Sequence, residues 1–318
     1  MGNFDKKNLT KINVLVTIFA IILVCSSIVG VWNDRQIGTN QTLLAMGNYE
    51  QIKADTQSGK ESTNVSIAPT NMQVLGKVTI LMYHNLMPNG YKSGKYCVTT
   101  AQLENDFEYL QSGGYNVISF AYLYECIREQ KQLPNKAILL TFDDGYLTNL
   151  TLGLPLLQKY NYSALMSVVG EFTQYGKSNP DIKRGYEYLE WEDVAKYADD
   201  EHIEWGIHSY NMHRLKTRKG VSKIKGEDEQ TYRKLFRQDT TKMLQNFENI
   251  GIKPIVYTYP YGLFTKESEE ILEELNIPFT LTCGESSCTI KAGRLPRLLG
   301  RFNRSGLDKL SAILARAN

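Results

Sequence analysis

Short apolar runs alternate with amphipathic stretches from about residue 77 to the end of the chain. Uninterrupted apolar runs of about four to eight residues are typical of buried strands, whereas apolar residues three or four positions apart are typical of helices. Helical spacing predicts one helix that ends at Gly113–Gly114 and two more at 229–250 and 266–275. The uninterrupted runs predict strands at 78–83, 116–119, 137–142, 164–169, 202–207, 255–259, 279–282 and 298–302.

Strands that alternate with helices predict an α/β fold in which crossover connections make neighbouring strands parallel. About seven or eight such units over roughly 240 residues predict a (β/α) barrel of seven or eight parallel strands. An open doubly wound sheet is the alternative. In a barrel, functional side chains gather where the strands end, at the carboxyl rim.

The longest apolar run, residues 12–32, contains no formal charge. Its 21 positions are about the length that crosses a bilayer core, which predicts one N-terminal transmembrane helix. Three lysines precede the run, so the positive-inside rule places residues 1–11 in the cytoplasm and the remainder outside. A cleaved signal peptide is the alternative, but no small-x-small cleavage site follows the run.

Residues 33–76 are rich in Asn, Gln, Ser, Thr and Lys and lack a sustained apolar period, which predicts an extracellular stalk. Residues 77–318 then form one barrel-sized domain. The predicted location is the cell membrane, with a single pass through residues 12–32 and the large domain on the outside.

The net charge of the chain limits the classes of partner that it is expected to bind. The chain has 36 Lys and Arg against 34 Asp and Glu, a net charge of +2. Such a balance argues against a nucleic-acid partner. Four of the five cysteines follow the apolar run, which permits disulfides in three pairings, with Cys283 and Cys288 as the candidate loop disulfide.

The clearest local motif is LLTFDDG, in which a buried strand ends at Asp143, Asp144 and a glycine turn. Neighbouring strand residues point to opposite faces, but a turn at the strand end can direct both carboxylates toward one cavity. An ordinary Asp-Gly turn that caps a helix near Thr148 is the alternative.

Three of the four histidines also follow predicted strands, namely His84, His208 and His213. Residues five positions apart lie about 140° apart on a helix, so a strand end and its loop, not a helix, would bring His208 and His213 together. Three histidines and an aspartate pair on one rim predict a functional site. The segment YTYPYG, from Tyr257 to Gly262, supplies aromatic rings suited to a sugar groove, and is equally consistent with ordinary core packing.

In this order, TFDDG (141–145), HSYNMH (208–213) and YPYG (259–262) resemble the motifs of the polysaccharide deacetylases of carbohydrate esterase family 4. The earlier LMYHNL (81–86) is similar to the branch that contains exported poly-N-acetylglucosamine deacetylases of biofilm matrix. The resemblance covers about residues 78–302. It implies a distorted β/α barrel and a hydrolase that releases acetate from an N-acetylated polysaccharide.

The resemblance also implies roles for individual residues. A divalent metal ion, most often zinc, would be held by Asp144, His208 and His213. Asp143 would stay off the metal as the general base, and the backbone N–H of Tyr261 would stabilise the oxyanion.

Two positions depart from the family pattern. The arginine that usually holds the general base is replaced by Thr258, and among Arg297, Arg301 and Arg304 we predict that Arg301 takes its place. No histidine follows His213, so we predict His84 as the general acid, with return of the proton by Asp143 as the alternative.

Several alternatives stay open at this point. The glycan is either poly-N-acetylglucosamine or peptidoglycan, and an O-acetyl polysaccharide esterase is less favoured. Outside this class, the chain is a non-catalytic glycan-binding protein of the same fold, or a cytoplasmic enzyme with a misread N-terminus. The stretch 214–228 contains six Lys and Arg, which suit either an anionic polymer or a solvated loop.

Overall fold

Six consecutive buried residues, Ala137–Phe142, form the central strand β5. Strand β1 (Val74–Tyr83) lies parallel to β5 on one side and β6 (Ala164–Val168) on the other. The computed structural model describes residues 72–176 and 183–317. The remaining strands there are β2 (Asn85–Met87), β3 (Cys97–Thr99), β4 (Asn116–Val117), β7 (Ile203–Ile207), β8 (Val256–Thr258), β9 (Phe279–Leu281), β10 (Cys288–Lys291) and β11 (Phe302–Asn303).

The main sheet has the strand order β10-β1-β5-β6-β7-β8-β9, with β4 paired to β5 and β11 paired to β1. Its pairings are parallel except for the antiparallel edge strand β10. The last strand of the row bridges through Leu281 to Leu299, and Phe302 pairs with Leu81 of β1. The chain from 299 to 303 therefore joins both sides of a curled half-barrel.

Eight α-helices connect or cover these strands: α1 (Thr100–Ser112), α2 (Phe120–Arg128), α3 (Leu154–Tyr160), α4 (Gly170–Tyr175), α5 (Trp191–Lys196), α6 (Glu229–Glu248), α7 (Lys266–Glu274) and α8 (Leu310–Ala317), counted over the described ranges. A π-helical turn at Asn149–Gly153 leads into α3, and a 3-10 turn covers Pro260–Gly262. The first helix begins with a capping box, because Thr99 and Gln102 satisfy each other's backbone N–H groups.

Alternate residues of β5 point to opposite sides of the sheet, as strand geometry requires. Ile138, Leu140 and Phe142 belong to one apolar cluster, whereas Ala137 and Leu139 belong to the other. The sheet is thus buried on both faces, which explains why its strands are uninterrupted apolar runs instead of alternating ones.

The C-terminal segment is tied to the first helix by a buried ion pair. The Nε atom of Arg304 lies 2.6 Å from Oδ2 of Asp106 in α1, and Tyr83 donates to the same oxygen at 3.0 Å. Both charged side chains are 4% exposed. A buried pair of this kind is costly to break from one side, because the remaining charge has no compensation.

The α/β class and the parallel pairing predicted from the sequence are confirmed. The strand predicted at 298–302 is wrong for most of its length, because only Phe302 and Asn303 pair as a strand and Leu299 makes a single bridge. Strand β1 begins at Val74, inside the predicted stalk, because Val74 and Gly76 pair with β10.

The predicted tip, the predicted anchor at 12–32 and most of the predicted stalk lie outside the described residues. Among the helices that are described, none has the length and apolar character needed to span a bilayer.

We expect Asp106→Asn to lower the free energy of unfolding by about 3 to 5 kcal/mol, because Arg304 loses its buried counter-charge. Urea unfolding followed by circular dichroism measures the loss. Glu104→Gln is the matched control on the same helix, since Glu104 pairs with the exposed Lys159 and the midpoint is expected to stay nearly unchanged. Equal losses in the two variants would contradict the structural role of the buried pair.

Candidate active site

The candidate site lies at one rim of the sheet, where the parallel strands β1, β5, β6, β7 and β8 end. Tyr83 and Phe142 are paired at the ends of β1 and β5, so His84 and Asp143 leave the sheet side by side. The backbone N–H of Asp143 donates to the carbonyl of Tyr83 at 2.9 Å. Val168 pairs with Ile207 at the ends of β6 and β7, and β8 follows at Thr258. His208, which directly follows β7, therefore reaches the same rim.

Asp143 and Arg301 form a buried bidentate ion pair. The two guanidinium nitrogens of Arg301 lie 2.7 Å and 2.8 Å from Oδ1 and Oδ2 of Asp143. Arg301 also donates to the carbonyl of Thr282 at 3.0 Å and to the hydroxyl of Thr141 at 3.1 Å. The arginine side chain is 0% exposed and the aspartate side chain 2%, so both groups have left water and depend on each other.

The other two arginines that were candidates to hold the general base, Arg297 and Arg304, pair with other carboxylates. Arg297 donates to Glu269 at 2.7 Å, and Arg304 pairs with Asp106. Thr258, at the position of the family arginine, places its hydroxyl 2.8 Å from that of Ser167. Arg301 is thus the guanidinium beside Asp143, as predicted, and it reaches Asp143 from just before β11.

Asp144, His208 and His213 converge on one point. The Nε2 atoms of His208 and His213 lie 3.4 Å and 3.2 Å from the same oxygen, Oδ1 of Asp144. One ligand atom from each residue lies within 4.8 Å of the others. One carboxylate oxygen and two imidazole nitrogens suit zinc, so the residues present fit a divalent metal ion.

A second layer of contacts orients the two imidazoles. Nδ1 of His208 lies 2.7 Å from the carbonyl of Thr258, which can only accept, so Nδ1 carries the proton and Nε2 is free to ligate. Nδ1 of His213 lies 3.2 Å from the hydroxyl of Tyr261. Orientation of this kind is usual for histidines that bind metal ions.

Three left-handed residues shape the loops of the site. Asp144, Ser209 and Tyr261 have φ values of 72°, 69° and 58°. Residues other than glycine rarely adopt such backbone angles, which cost of order 1 to 3 kcal/mol and cluster at functional sites. Gly145 follows with φ of 74°, and a Cβ atom there would lie 3.0 Å from Val168. The turn at Asp144 lets adjacent carboxylates take different partners.

Electrostatics keep both carboxylates ionised. Burial by itself raises the pKa of Asp143, but the charge and hydrogen bonds of Arg301, together with the charges of His208 and His84, bring the pKa below its ordinary value. Burial likewise acts to raise the pKa of Asp144, and the hydrogen bonds with His208 and His213 bring it well below the ordinary value. Two ionised carboxylates can coexist here because each has its own cationic or hydrogen-bonding partner.

His84 faces the same carboxylates without being tied to them. Burial lowers the pKa of His84, and the charges of Asp143 and Asp144 oppose that shift. Its Nδ1 atom is buried and has no hydrogen-bond partner within the described part of the chain. The ring of Tyr96 packs against the imidazole with the centroids 4.8 Å apart.

Two tyrosines at the site were missed by the sequence analysis. Tyr146 directly follows the TFDDG motif, and burial and the charge of Asp144 raise its pKa. Its ring stacks on Tyr188 with the centroids 5.0 Å apart, and the two backbones form a bridge. The tyrosine beside the DDG motif was a signal available in the sequence, whereas Tyr188 comes from a distant loop.

The predicted basic stretch is partly neutralised. Three of its six cations have carboxylate partners: Arg214 with Glu171, Arg218 with Glu227, and Lys223 with Glu267. These pairs favour the solvated-loop interpretation over a continuous cationic surface.

The candidate disulfide between Cys283 and Cys288 is wrong, because both residues are free thiols, as are Cys97 and Cys126. Their sulfur atoms face different neighbours. Sγ of Cys283 lies 3.9 Å from the sulfur of Met82, whereas Sγ of Cys288 lies 3.8 Å from the carbonyl of Gly300.

Comparison with solved structures supports the fold. A de-N-acetylase from Aggregatibacter actinomycetemcomitans superposes with a TM-score of 0.63 at 21% identity, over 75% of this chain and 99% of that chain. IcaB from Ammonifex degensii superposes with a TM-score of 0.61 at 22% identity, over 75% of this chain and 96% of that chain.

Curated relatives share the sequence at modest identity. The poly-β-1,6-N-acetyl-D-glucosamine N-deacetylase of Escherichia coli K12 is 27% identical over 248 residues, which are 71% of this chain and 37% of that protein. The chain thus spans little more than a third of that relative's length. The enzyme of the same name from Staphylococcus epidermidis is 22% identical over 272 residues, 83% of this chain and 88% of that protein.

The polysaccharide deacetylase family model matches residues 130–280, a range that begins before β5 and ends within β9. That range contains the aspartate pair, both histidines of the Asp144 group and the YPYG turn. The relatives and the fold agree with this match, which identifies residues 130–280 as a polysaccharide deacetylase domain.

Proposed function

We propose that the protein is a metal-dependent deacetylase of extracellular poly-N-acetylglucosamine. The observation that carries this proposal is the separation of two adjacent carboxylates. Asp144 lies with His208 and His213. Over the described residues, the charged side chain that hydrogen-bonds to Asp143 is Arg301. A glycan-binding protein would not need a buried, ionised carboxylate kept apart from a set of metal ligands.

Asp144, His208 and His213 would hold the metal ion, which we propose to be zinc. When bound, such an ion supplies Lewis acidity toward a carbonyl oxygen and lowers the pKa of water. The Thr258 carbonyl and the Tyr261 hydroxyl keep the two imidazoles oriented for this task.

Asp143 would act as the general base. Arg301 binds both of its oxygens in one plane, which fixes the carboxylate and keeps it ionised. The carboxylate then takes a proton from the water that attacks the acetamide carbonyl carbon. General-base catalysis of this kind typically contributes about 10²- to 10⁴-fold to the rate.

Tyr261 and His84 would complete the chemistry. The left-handed Tyr261 lies beside His213, and we propose that its backbone N–H donates to the oxyanion that forms when water adds to the carbonyl. One such donor is typically worth about 3 to 4 kcal/mol in the transition state. His84, whose ring faces Asp143 and Asp144, would protonate the departing amine.

The proposed substrate follows from the relatives and from the surroundings of the site. Relatives from Escherichia coli and Staphylococcus epidermidis carry the name poly-β-1,6-N-acetyl-D-glucosamine N-deacetylase. Aromatic rings surround the candidate metal ligands: Phe172 lies 5.5 Å from His213, and Tyr188 stacks on Phe172 at 4.6 Å between centroids. Aromatic rings offer apolar faces on which the apolar faces of sugar rings can pack, whereas a charged polymer would need cationic side chains.

We further propose that residues 12–32 anchor the protein in the cell membrane as a single pass, with the deacetylase domain outside. The support is the uncharged run and the three lysines before it. An extracellular polysaccharide would then meet the enzyme at the cell surface.

Acetate release across a panel of glycans tests the proposed function. We expect poly-N-acetylglucosamine to react faster than peptidoglycan or acetylated xylan. A chelator should abolish acetate release and added zinc should restore it, because the reaction needs the Lewis acidity of the metal ion. Unchanged release in chelator would contradict metal dependence, and faster release from another glycan would replace the proposed substrate.

His213→Ala is the matching variant and His202→Ala its control. His202 lies just before β7, at the opposite end of that strand from His208, and its Nδ1 contacts the carbonyl of Tyr162. Only the first variant should lose zinc from the purified protein. Equal zinc content in both would contradict the ligand assignment.

Protease treatment of intact cells tests the proposed location. We expect the domain at 77–318 to be cleaved without lysis, because it lies outside the membrane. Detection by an antibody against this domain gives the readout. Protection until the cells are lysed would contradict the proposed orientation, and release of uncut domain into the medium would indicate a cleaved leader.

A further inference from the structure

The loop that connects His208 to His213 is held by a helix that carries no candidate ligand. Asp239 lies near the middle of α6 (Glu229–Glu248). Its Oδ1 accepts the backbone N–H of Tyr210 at 2.8 Å, and its Oδ2 accepts the backbone N–H of Asn211 at 2.7 Å. One carboxylate thus accepts hydrogen bonds from two consecutive backbone amides of the loop.

The other side of the same loop is held by the start of α4 (Gly170–Tyr175). The N–H of Gly170 donates to the carbonyl of Ser209 at 3.0 Å, and the N–H of Glu171 donates to the carbonyl of Tyr210 at 2.8 Å. A Cβ atom on Gly170 would lie 2.4 Å from the ring of Tyr210, so glycine is required for this approach. The loop is therefore fixed from two elements.

The loop needs such support because its first residue is strained. Ser209 has φ of 69°, a value that persists only where the surroundings determine it. The Thr258 carbonyl additionally holds the ring of His208, and the Tyr261 hydroxyl contacts the ring of His213. The backbone of His213, however, comes after the strained turn, and its side chain is 15% exposed. The position of His213 therefore depends on the path of residues 209–212.

The hydrogen bonds of the Asp239 carboxylate go to the loop, while other residues of α6 pack on the core. Both of its oxygens bind the loop, whereas α6 packs on the core through Tyr232, Phe236, Met243 and Phe247. Burial raises the pKa of Asp239 to about 6, and the two amide N–H groups oppose that shift. Keeping a carboxylate in this place costs free energy, which the two loop amides partly offset.

We propose that Asp239 is a positioning residue that sets the path of the 209–212 loop and thereby brings His213 to Asp144 and His208. It touches neither the ligands nor the reacting atoms and acts through the backbone of Tyr210 and Asn211. The inference rests on the proposed metal site and deepens it by naming what organises that site.

Metal affinity of the full-length protein without glycan tests the inference. Zinc dissociation constants are measured by competition with a chromophoric chelator for the parental chain, Asp239→Ala and Asp239→Asn. We expect Asp239→Ala to raise the dissociation constant by about 10- to 100-fold, the usual effect of losing a supporting contact around a metal ligand. Asp239→Asn keeps one acceptor and places an NH₂ group against the other amide, so a smaller increase is expected.

Asp228→Ala is the matched control on the same helix. Asp228 caps α6 by accepting the N–H of Thr231 at 2.9 Å, so its loss weakens the helix without touching the loop. This control should lower the melting temperature and leave the dissociation constant within about twofold of the parental value. Cobalt substitution adds a spectroscopic readout, since the visible bands should change in the Asp239 variants and not in Asp228→Ala.

Parental affinity in a folded Asp239→Ala protein, with unchanged cobalt bands, would overturn the inference. If Asp239→Ala does not fold, Asp239→Asn decides, and an unchanged dissociation constant in that variant overturns the inference as well. Failure of the parental chain to bind zinc or cobalt is a different outcome, because it contradicts the proposed metal site itself.

Discussion

The bidentate pair between Asp143 and Arg301 is the interaction on which the rest of the site depends. A buried carboxylate without a cation would take up a proton, and a protonated Asp143 could not serve as a base. Arg301 is completely buried and binds both carboxylate oxygens. It comes from the segment that joins β9 to β1, so the curl of the sheet and the ionisation of the base depend on one another.

Adjacent aspartates acquire different environments because of one turn. Asp143 continues the direction of β5 toward Arg301, whereas Asp144 has a left-handed backbone and faces the two histidines. Neighbouring groups of equal chemistry can then have separate tasks, one as a base and the other as a metal ligand. The strain at Asp144, Ser209 and Tyr261 is offset by the hydrogen bonds and packing of the strands around them.

The parts of the site that follow buried strands could be predicted from the sequence. β5 was predicted with its observed bounds, because a strand buried on both faces is an uninterrupted apolar run. Asp143, Asp144 and His208 follow directly from such strands, and parallel pairing then requires them to share a rim. The position of His213 at the same rim could also be predicted, because only a short loop separates it from His208.

Contacts between distant segments could not be derived in the same way. Arg301 was predicted only because the family pattern requires an arginine that Thr258 cannot supply. Its bidentate pair with Asp143 joins residues that are 158 positions apart in the chain. Tyr188 comes to the site, and Asp239 to the loop that supports it, by long-range contacts that no local pattern assigns to either residue. The short strands β2, β3 and β10 pair through neighbours that no local pattern specifies. Ion pairs of the basic stretch likewise appear only when the fold brings Glu171 and Glu267 to it.

The most direct measurement is acetate release by Asp143→Asn together with the metal content of the same sample. Asparagine keeps the shape of the side chain but cannot take the proton from water. We expect release to fall by about 10²- to 10⁴-fold while the metal content stays at the parental level. Release at the parental rate would contradict the role of Asp143 as the base, and loss of the metal from a variant that is still folded would contradict the separation of base and metal ligands.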